Sequence, residues 1–173
     1  MTTLITGGSK CGKSTFAEKL LSSHSGRKIY IATLRPYGNN AEDIIARHIK
    51  MREGKGFVTI EQFTDINKAP VKDGDAVLLE DIGNLAANEM FTENGIVSPV
   101  TKVVSGIKTL SEIVSELIIV TNEVGCDGIG YAPETMDYIA AVSSINRSIA
   151  EFADNVYECV YGIPVAMKGE KIC

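Results

Sequence analysis

The sequence lacks an excess of basic residues. Its 173 residues include 17 Lys and Arg against 22 Asp and Glu, a net charge of −5. A protein that grips a nucleic-acid backbone needs a basic face, so we expect no nucleic-acid partner. A local basic site for a small phosphate ligand is still compatible with this charge. The hydrophobic content of 45% and the charged content of 23% are globular values and argue against disorder, collagen and coiled coil.

Long apolar runs are also missing. The longest, such as 117–120, are far too short to cross a bilayer. The first eight residues show no basic stretch followed by an apolar one, so we expect no secretory signal. The four cysteines are scattered, with no spacing typical of metal ligands, which predicts reduced thiols in a cytoplasmic protein. They are Cys11, Cys126, Cys159 and Cys173.

Repeats, low-complexity tracts and linkers are absent, and short apolar strands alternate with longer helical patterns. This alternation predicts one domain over residues 1–173, an α/β fold with a mostly parallel sheet and helices on both faces. The strands 155–161 and 164–168 have a short connection and predict an antiparallel edge. The other predicted strands are 2–6, 28–33, 57–63, 75–80 and 117–121. The predicted helices are 13–22, 41–53, 83–91, 100–115 and 134–152.

Residues 7–14 read Gly-Gly-Ser-Lys-Cys-Gly-Lys-Ser and match the phosphate-loop pattern G-x-x-x-x-G-K-[ST] in full. Glycines let the backbone wrap tightly around phosphate oxygens, while the following helix adds its positive end. We expect Lys13 to reach the β- and γ-phosphates and the Ser14 hydroxyl to hold Mg²⁺. A strand before and a helix after complete a P-loop NTPase-like context. The predicted phosphate-binding residues are Gly7, Gly8, Ser9, Lys10, Cys11, Gly12, Lys13 and Ser14.

A phosphate loop needs an acidic partner for its metal ion. The apolar strand that includes 76–79 is followed by Glu80 and Asp81, and open α/β sheets bind ligands at such strand ends. Either acid could support the metal, and either could cap the next turn. We favour Glu80 for the metal.

Only two histidines are present. His24 ends a predicted helix, where a solvated side chain is expected. His48 lies near Ile44, Met51 and Arg52 on one side of the predicted helix 41–53. One interpretation is an amphipathic helix with a basic outer face. The other is that imidazole and guanidinium meet phosphate, with the neutral imidazole as a nucleophile toward phosphorus and Arg52 stabilising the charge.

A combination of segments is more specific than the phosphate loop alone. They are 5–14 followed by Ala17-Glu18, 30–33, 45–48 with Arg52, 78–80, 120–125, Asn146, 153–154 and 162–165 with Lys168. Together they resemble the bifunctional adenosylcobinamide kinase/adenosylcobinamide-phosphate guanylyltransferase family of cobalamin biosynthesis. The resemblance covers essentially the whole chain in the same order.

This resemblance implies two reactions. ATP or GTP phosphorylates the hydroxyl of the aminopropanol arm of adenosylcobinamide. GTP then forms a GMP–histidine phosphoramidate and releases pyrophosphate, and the cobinamide phosphate takes the GMP to form adenosylcobinamide-GDP. The resemblance also implies a homotrimer with active sites between subunits. It assigns catalysis to His48 with Lys13. It implies nucleotide contacts at Thr33, Leu34, Arg35, Ile49, Lys50, Met51, Arg52, Glu61 and Glu80.

The segment Asn122-Glu123 follows a predicted strand and has two interpretations. It is a strand end turning into a loop, or it contacts substrate or nucleotide at the edge where the site should lie. Asn-Lys-x-Asp, the usual guanine reader of GTPases, is absent, so a regulatory GTPase is disfavoured. The basic residues Lys10, Lys13, Arg35, Arg47, Lys50 and Arg52 could form a local basic pocket within this acidic chain.

Two other functions stay open. One is a P-loop kinase for another small alcohol, without guanylyl transfer. The other is a divergent nucleotide-binding regulatory paralogue. It is kept open by 139–144, which read Ile-Ala-Ala-Val-Ser-Ser where family members usually have Arg-Asp-x-x-Gly-Arg.

Overall fold

The fold is seen in a computed structural model, which describes residues 1–36, 46 and 54–169. Seven strands form one sheet in the order β3-β2-β4-β7-β1-β8-β9. Every neighbouring pair is parallel except β8 with β9, so the mostly parallel sheet and its antiparallel edge are confirmed. The strands of this sheet are β1 (Thr2–Thr6), β2 (Lys28–Ala32), β3 (Phe57–Glu61), β4 (Ala76–Glu80), β7 (Glu116–Val120), β8 (Asn155–Val160) and β9 (Ile163–Lys168).

Helices cover both faces of the sheet, which is why its central strands are almost continuously apolar. The helices are α1 (Lys13–Leu20), α2 (Ile82–Met90), α3 (Val100–Ile113) and α4 (Pro133–Phe152), with a short 3₁₀ turn at Ile66–Lys68. On one face, Phe16 of α1 packs into a buried cluster with Leu78 of β4. On the other, Leu85, Ile107 and Ile145 bring α2, α3 and α4 into a second cluster.

Several elements differ from the sequence prediction, among them helix α1, which ends at Leu20 and not at residue 22, and strand β3, which ends at Glu61 and not at residue 63. Helix α2 ends at Met90, and a small antiparallel hairpin follows, with β5 (Phe91–Thr92) and β6 (Gly95–Ile96). Glu93 and Asn94 form its turn, and Gly95, the first residue of β6, has a φ of +114°, which favours glycine. Strand β8 ends at Val160, so Tyr161 belongs to the turn and not to the strand. Helix α3 ends at Ile113, two residues earlier than predicted.

The predicted helix 41–53 lies outside the described residues, apart from Ala46. Within the ranges that the structure describes, no helix combines the length and apolar character that a membrane crossing requires.

The sheet topology determines where a site can form. Because β1, β2, β3, β4, β7 and β8 run parallel, their carboxyl ends meet at one edge. Strand β1 lies between β7 and β8, so the loop that follows it has a flank on each side. Ligands of open α/β sheets bind outside this edge.

Candidate active site

The loop between β1 and α1 contains the phosphate-loop pattern, and its two outer glycines are required by the backbone. Gly7 has a φ of +139° and Gly12 a φ of +100°, both in the region that favours glycine. A Cβ at Gly7 would lie 2.6 Å from the carbonyl oxygen of Cys159 on β8. A side chain at position 7 therefore requires movement of backbone. Gly12 is the N-cap of α1, which directs the positive end of this helix at the loop.

Lys13 lies under the loop and is only 6% exposed. Its Nζ donates to the carbonyl oxygens of Gly7 at 3.0 Å and Gly8 at 2.6 Å, and lies 3.8 Å from Cys11 Sγ. These carbonyl oxygens carry no net charge, so they position the ammonium without neutralising it. The arrangement holds a cation where a phosphate on the loop would need it.

Ser14 and Glu80 bring a hydroxyl and a carboxylate together at the same edge. Ser14 Oγ donates to Glu80 Oε1 at 2.5 Å, and Tyr30 donates its hydroxyl to Glu80 Oε2 at 3.2 Å. Glu80 is half-buried at the last position of β4. Hydroxyl and carboxylate oxygens are ligands that Mg²⁺ prefers, so this pair fits a magnesium ion bound with a nucleoside triphosphate.

Asp81 has a different set of contacts from Glu80. It is the N-cap of α2, because its Oδ1 accepts from the backbone N–H of Asn84 at 2.7 Å. Its Oδ2 accepts from Asn122 Nδ2 at 2.9 Å. Burial raises the pKa of Asp81, and these two N–H donors oppose that rise. The sequence allowed either acid to support a metal ion or to cap the next turn. In the structure Glu80 lies beside Ser14, and Asp81 caps the helix.

The ends of β2 and β3 lie on the β4 side of the phosphate loop. Thr33 is fully buried, and its hydroxyl donates to the Asp81 carbonyl at 2.8 Å. Asn88 of α2 donates to the carbonyls of Thr33 and Phe63, tying the two strand ends together. The Arg35 guanidinium lies 5.9 Å from the centre of the Phe63 ring. The residues that the resemblance connects with nucleotide contact on this flank are Thr33, Leu34, Arg35 and Glu61. Their contact with nucleotide stays a prediction.

The end of β7 adjoins both the loop and the acids. Asn122 donates to Asp81, and the backbone N–H of Glu123 lies 3.4 Å from the carbonyl oxygen of Gly7. Gly125 has a φ of +73°, and a Cβ there would lie 2.7 Å from Ile139 Cγ2. Ile139 thus packs against the end of this segment. Asn122 is engaged in positioning Asp81, a contact that sequence reasoning missed because it joins residues of two different strand ends.

Strand β8 and the turn after it form the second flank of the loop. The backbone N–H of Gly162 donates to the carbonyl of Cys11 at 2.9 Å. An open cavity of about 700 Å³ lies here, lined by loop residues 8–12, by 158–162 and by Glu123. Sequence reasoning did not predict that Glu158 and Tyr161 line a cavity beside the phosphate loop. The short connection between the last two strands was the available signal.

Of the two histidines, His24 lies among the residues that the structure describes and His48 does not. His24 lies at the opposite edge of the sheet, with Nδ1 3.1 Å from Glu116 Oε1 and Nε2 3.2 Å from the Gly74 carbonyl. Its side chain is only 14% exposed, so the expectation of a solvated position is wrong. The predicted site residues His48, Ile49, Lys50, Met51 and Arg52, together with Arg47, lie outside the described residues.

Comparison with known proteins identifies the family. A sequence model of the family described as cobinamide kinase / cobinamide phosphate guanyltransferase matches residues 3–167. The bifunctional adenosylcobalamin biosynthesis protein CobU of Escherichia coli is 27% identical over 188 residues, covering 97% of this chain and 100% of that protein. CobP of Pseudomonas aeruginosa, with the same description, is 24% identical over 180 residues, covering 99% and 100%. Among solved structures, the P4 protein from bacteriophage phi6 in complex with ADP aligns with 94% of this chain at 13% identity and a TM-score of 0.43; this chain spans 52% of its length. The chain belongs to the cobinamide kinase / cobinamide phosphate guanyltransferase family.

Proposed function

We propose that this protein is a bifunctional enzyme of cobalamin biosynthesis. It phosphorylates adenosylcobinamide with ATP or GTP and then transfers GMP from GTP to the cobinamide phosphate. The family match over residues 3–167 and the description of the relatives as bifunctional adenosylcobalamin biosynthesis proteins support this proposal. The observation that carries it is the phosphate loop with the buried Lys13 ammonium and the Ser14–Glu80 pair, all at one edge of the sheet.

In the kinase step, the oxygen of the cobinamide hydroxyl attacks the γ-phosphorus and releases its proton to water. The bond from that phosphorus to the bridging oxygen breaks, and the nucleoside diphosphate leaves. Lys13 and the backbone N–H groups of the loop stabilise the charge on the phosphate oxygens. Ser14 and Glu80 would hold Mg²⁺, which neutralises phosphate charge when it is bound.

In the guanylyl transfer, a nitrogen of His48 attacks the α-phosphorus of GTP, and pyrophosphate leaves. An oxygen of the cobinamide phosphate then attacks the same phosphorus, the P–N bond breaks and the imidazole is restored. The role of His48, the contribution of Arg52 and nucleotide contact at Ile49–Arg52 are taken from the resemblance. A homotrimer is likewise a prediction, which light scattering of the purified protein tests.

Covalent labelling tests the guanylyl transfer. The protein is incubated with α-labelled GTP and Mg²⁺, and an acid-labile, base-stable label is expected. His48→Ala should abolish this label. His24→Ala is the matched control, since it removes the chain's other histidine at the far edge of the sheet, and it should keep the label. Absence of label in the wild-type protein over a range of conditions would sink the covalent mechanism.

A second assay separates the kinase from the guanylyl transfer. It follows transfer of the γ-phosphate from labelled ATP or GTP to adenosylcobinamide. Lys13→Ala should reduce this transfer by at least tenfold, because the ammonium bound to the loop carbonyls of Gly7 and Gly8 is lost. Lys19→Ala, on the exposed side of α1, is the control and should leave it unchanged. Phosphorylated product without covalent GMP would instead indicate a kinase alone.

A further inference from the structure

Strand β2 carries a tyrosine on the same face of the sheet as Glu80. In the parallel register of β2 with β4, Ala32 lies opposite Glu80, and Tyr30 is two residues before Ala32. Because side chains alternate between the two faces of a strand, Tyr30 and Glu80 project to one face. Tyr30 packs in the buried cluster to which α1 contributes, so this is the face that α1 covers. Ser14, in the first turn of α1, lies there as well.

The Glu80 carboxylate is bound at both of its oxygens. Tyr30 donates its hydroxyl to Oε2 at 3.2 Å, and Ser14 donates to Oε1 at 2.5 Å. The tyrosine is only 3% exposed, so the packing of the core sets the position of its hydroxyl. A hydroxyl fixed in this way restricts rotation of the carboxylate and keeps Oε1 directed at Ser14.

Thr33, the residue after β2, holds the backbone on which the Glu80 side chain is mounted. Its N–H donates to the Glu80 carbonyl at 3.1 Å. Its hydroxyl accepts from the Asp81 N–H at 2.7 Å and donates to the Asp81 carbonyl at 2.8 Å. Its own carbonyl accepts from Asn88 at 2.8 Å. Thr33 is fully buried, and each of its polar groups is satisfied within the protein, so the hydroxyl serves residues 80–81 and not a nucleotide.

We propose that Tyr30 and Thr33 are positioning residues for the metal site, in which Tyr30 orients the Glu80 carboxylate and Thr33 fixes the backbone behind it. Mg²⁺ demands near-ideal octahedral coordination, so an acid that can rotate or shift supports it less well. The inference rests on the proposed function for the presence of Mg²⁺ and a triphosphate, and it adds the residues that hold the acid in place. It also gives Thr33 a role through Glu80 in place of the nucleotide contact that the resemblance implies.

The role of Tyr30 is tested by the affinity for Mn²⁺, which prefers the same oxygen ligands as Mg²⁺ and is paramagnetic. Electron paramagnetic resonance measures its Kd in the complex of the protein with the β,γ-imido analogue of GTP. Tyr30→Phe keeps the buried ring and removes the hydroxyl, so the Kd for Mn²⁺ should rise about tenfold. Tyr138→Phe is the matched control, because it loses a hydroxyl that donates to the Gly83 carbonyl at 3.2 Å, and its Kd should be unchanged. An unchanged Kd in Tyr30→Phe overturns the positioning role of this residue.

The role of Thr33 is tested by a pair of variants. Thr33→Val removes the hydroxyl at nearly constant volume, so the melting temperature should fall because the Asp81 N–H loses its acceptor, and the Kd for Mn²⁺ should rise about tenfold. Thr33→Ser keeps the hydroxyl and should restore most of the Mn²⁺ affinity. A lower melting temperature with an unchanged Kd, measured where the variant is still folded, would show a structural role alone and overturn the proposal for Thr33. Tyr30→Phe keeps the core packing and tests the proposal even where Thr33→Val does not fold.

Binding of the same analogue in EDTA separates metal positioning from nucleotide contact. Calorimetry should give the wild-type Kd for the metal-free analogue in both Tyr30→Phe and Thr33→Val. Weaker metal-free binding in Thr33→Val with an unchanged Kd for Mn²⁺ overturns the proposal, since Thr33 would then contact the nucleotide itself. These measurements contain no cobinamide, so failure of the proposed transfer reactions would be seen separately.

Discussion

Asp81 and Glu80 are neighbours in the chain, yet their contacts predict opposite consequences of substitution. In Asp81→Ala, helix α2 loses its N-cap, and the Asn122 amide loses its acceptor. Loss of the cap costs about 1 kcal/mol, and loss of the amide contact about 1 kcal/mol more. Burial raises the pKa of Asp81, which means that the buried charge is itself unfavourable, so its removal offsets part of these two losses. We expect the free energy of unfolding to fall by about 1–2 kcal/mol in urea denaturation.

Asp81→Asn is the control for the cap. Asn caps a helix about as well as Asp, and its Oδ1 can still accept from Asn84 N–H. The Asn122 amide can turn its oxygen toward the new amide. The free energy of unfolding should therefore stay within about 0.5 kcal/mol of the wild-type value.

Glu80→Gln should act on the reaction and leave stability nearly unchanged. Its remaining side-chain oxygen can still accept from Ser14 or Tyr30, while the negative charge beside Ser14, the proposed metal ligand, is lost. We expect phosphoryl transfer to fall at least tenfold and the Mg²⁺ concentration for half-maximal rate to rise. The assay titrates Mg²⁺ at fixed nucleotide. A shifted Mg²⁺ requirement in Asp81→Asn but not in Glu80→Gln would refute this division of roles.

Three further predictions concern stability. Lys102→Ala should lower the free energy of unfolding by about 1–2 kcal/mol, because the Glu89 carboxylate, only 6% exposed, loses the ammonium that lies 2.6 Å away. Lys68 is exposed, so Lys68→Ala is the control and should have almost no effect. Lys102 also pairs with Asp65 and lowers the pKa of that carboxyl. The stabilisation from the Lys102–Asp65 pair is therefore present above about pH 3.8, the ordinary pKa of Asp, and is lost as the pH falls through the lower pKa of Asp65 in the folded protein. The difference between wild type and Lys102→Ala should thus shrink in acid, and a constant difference would contradict the ion pair. Gly7→Ala should lower the melting temperature and weaken tripolyphosphate binding, because the added Cβ would lie 2.6 Å from the carbonyl oxygen of Cys159. An unchanged melting temperature together with unchanged binding in calorimetry would contradict the close contact between the loop and β8.

The fold was predictable to the extent that it depends on local patterns. The alternation of short apolar strands with helical periods was sufficient for the mostly parallel sheet, and the short connection predicted at 162–163 for its antiparallel edge. The small hairpin at 91–96 was missed because its strands have only two residues each, too few for alternation to show. The Asn-Gly pair at 94–95, which ends the turn, was the available signal.

The candidate site was predictable only in its contiguous part. The phosphate loop is one unbroken stretch, and its glycine geometry follows from the sequence pattern. The sequence favoured Glu80 over Asp81 for the metal, but only the structure shows which acid faces Ser14, 66 positions away from Glu80 in the chain. The link from Asn122 to Asp81 likewise spans 41 positions and depends on β4 lying next to β7.

The sequence by itself determined the chemistry that the loop can offer, since Gly7 to Ser14 need only their own backbone and the helix that follows to surround a phosphate. The tertiary structure alone decided what stands around that loop. The strand order puts β7 and then β4 on one side of β1, so Glu80 at the end of β4 meets Ser14. It puts β8 on the other side, so the turn at 161–162 contacts Cys11. The reason is physical: a local motif is encoded by neighbouring residues, whereas a site wall is built from strand ends that meet only when the whole sheet has assembled.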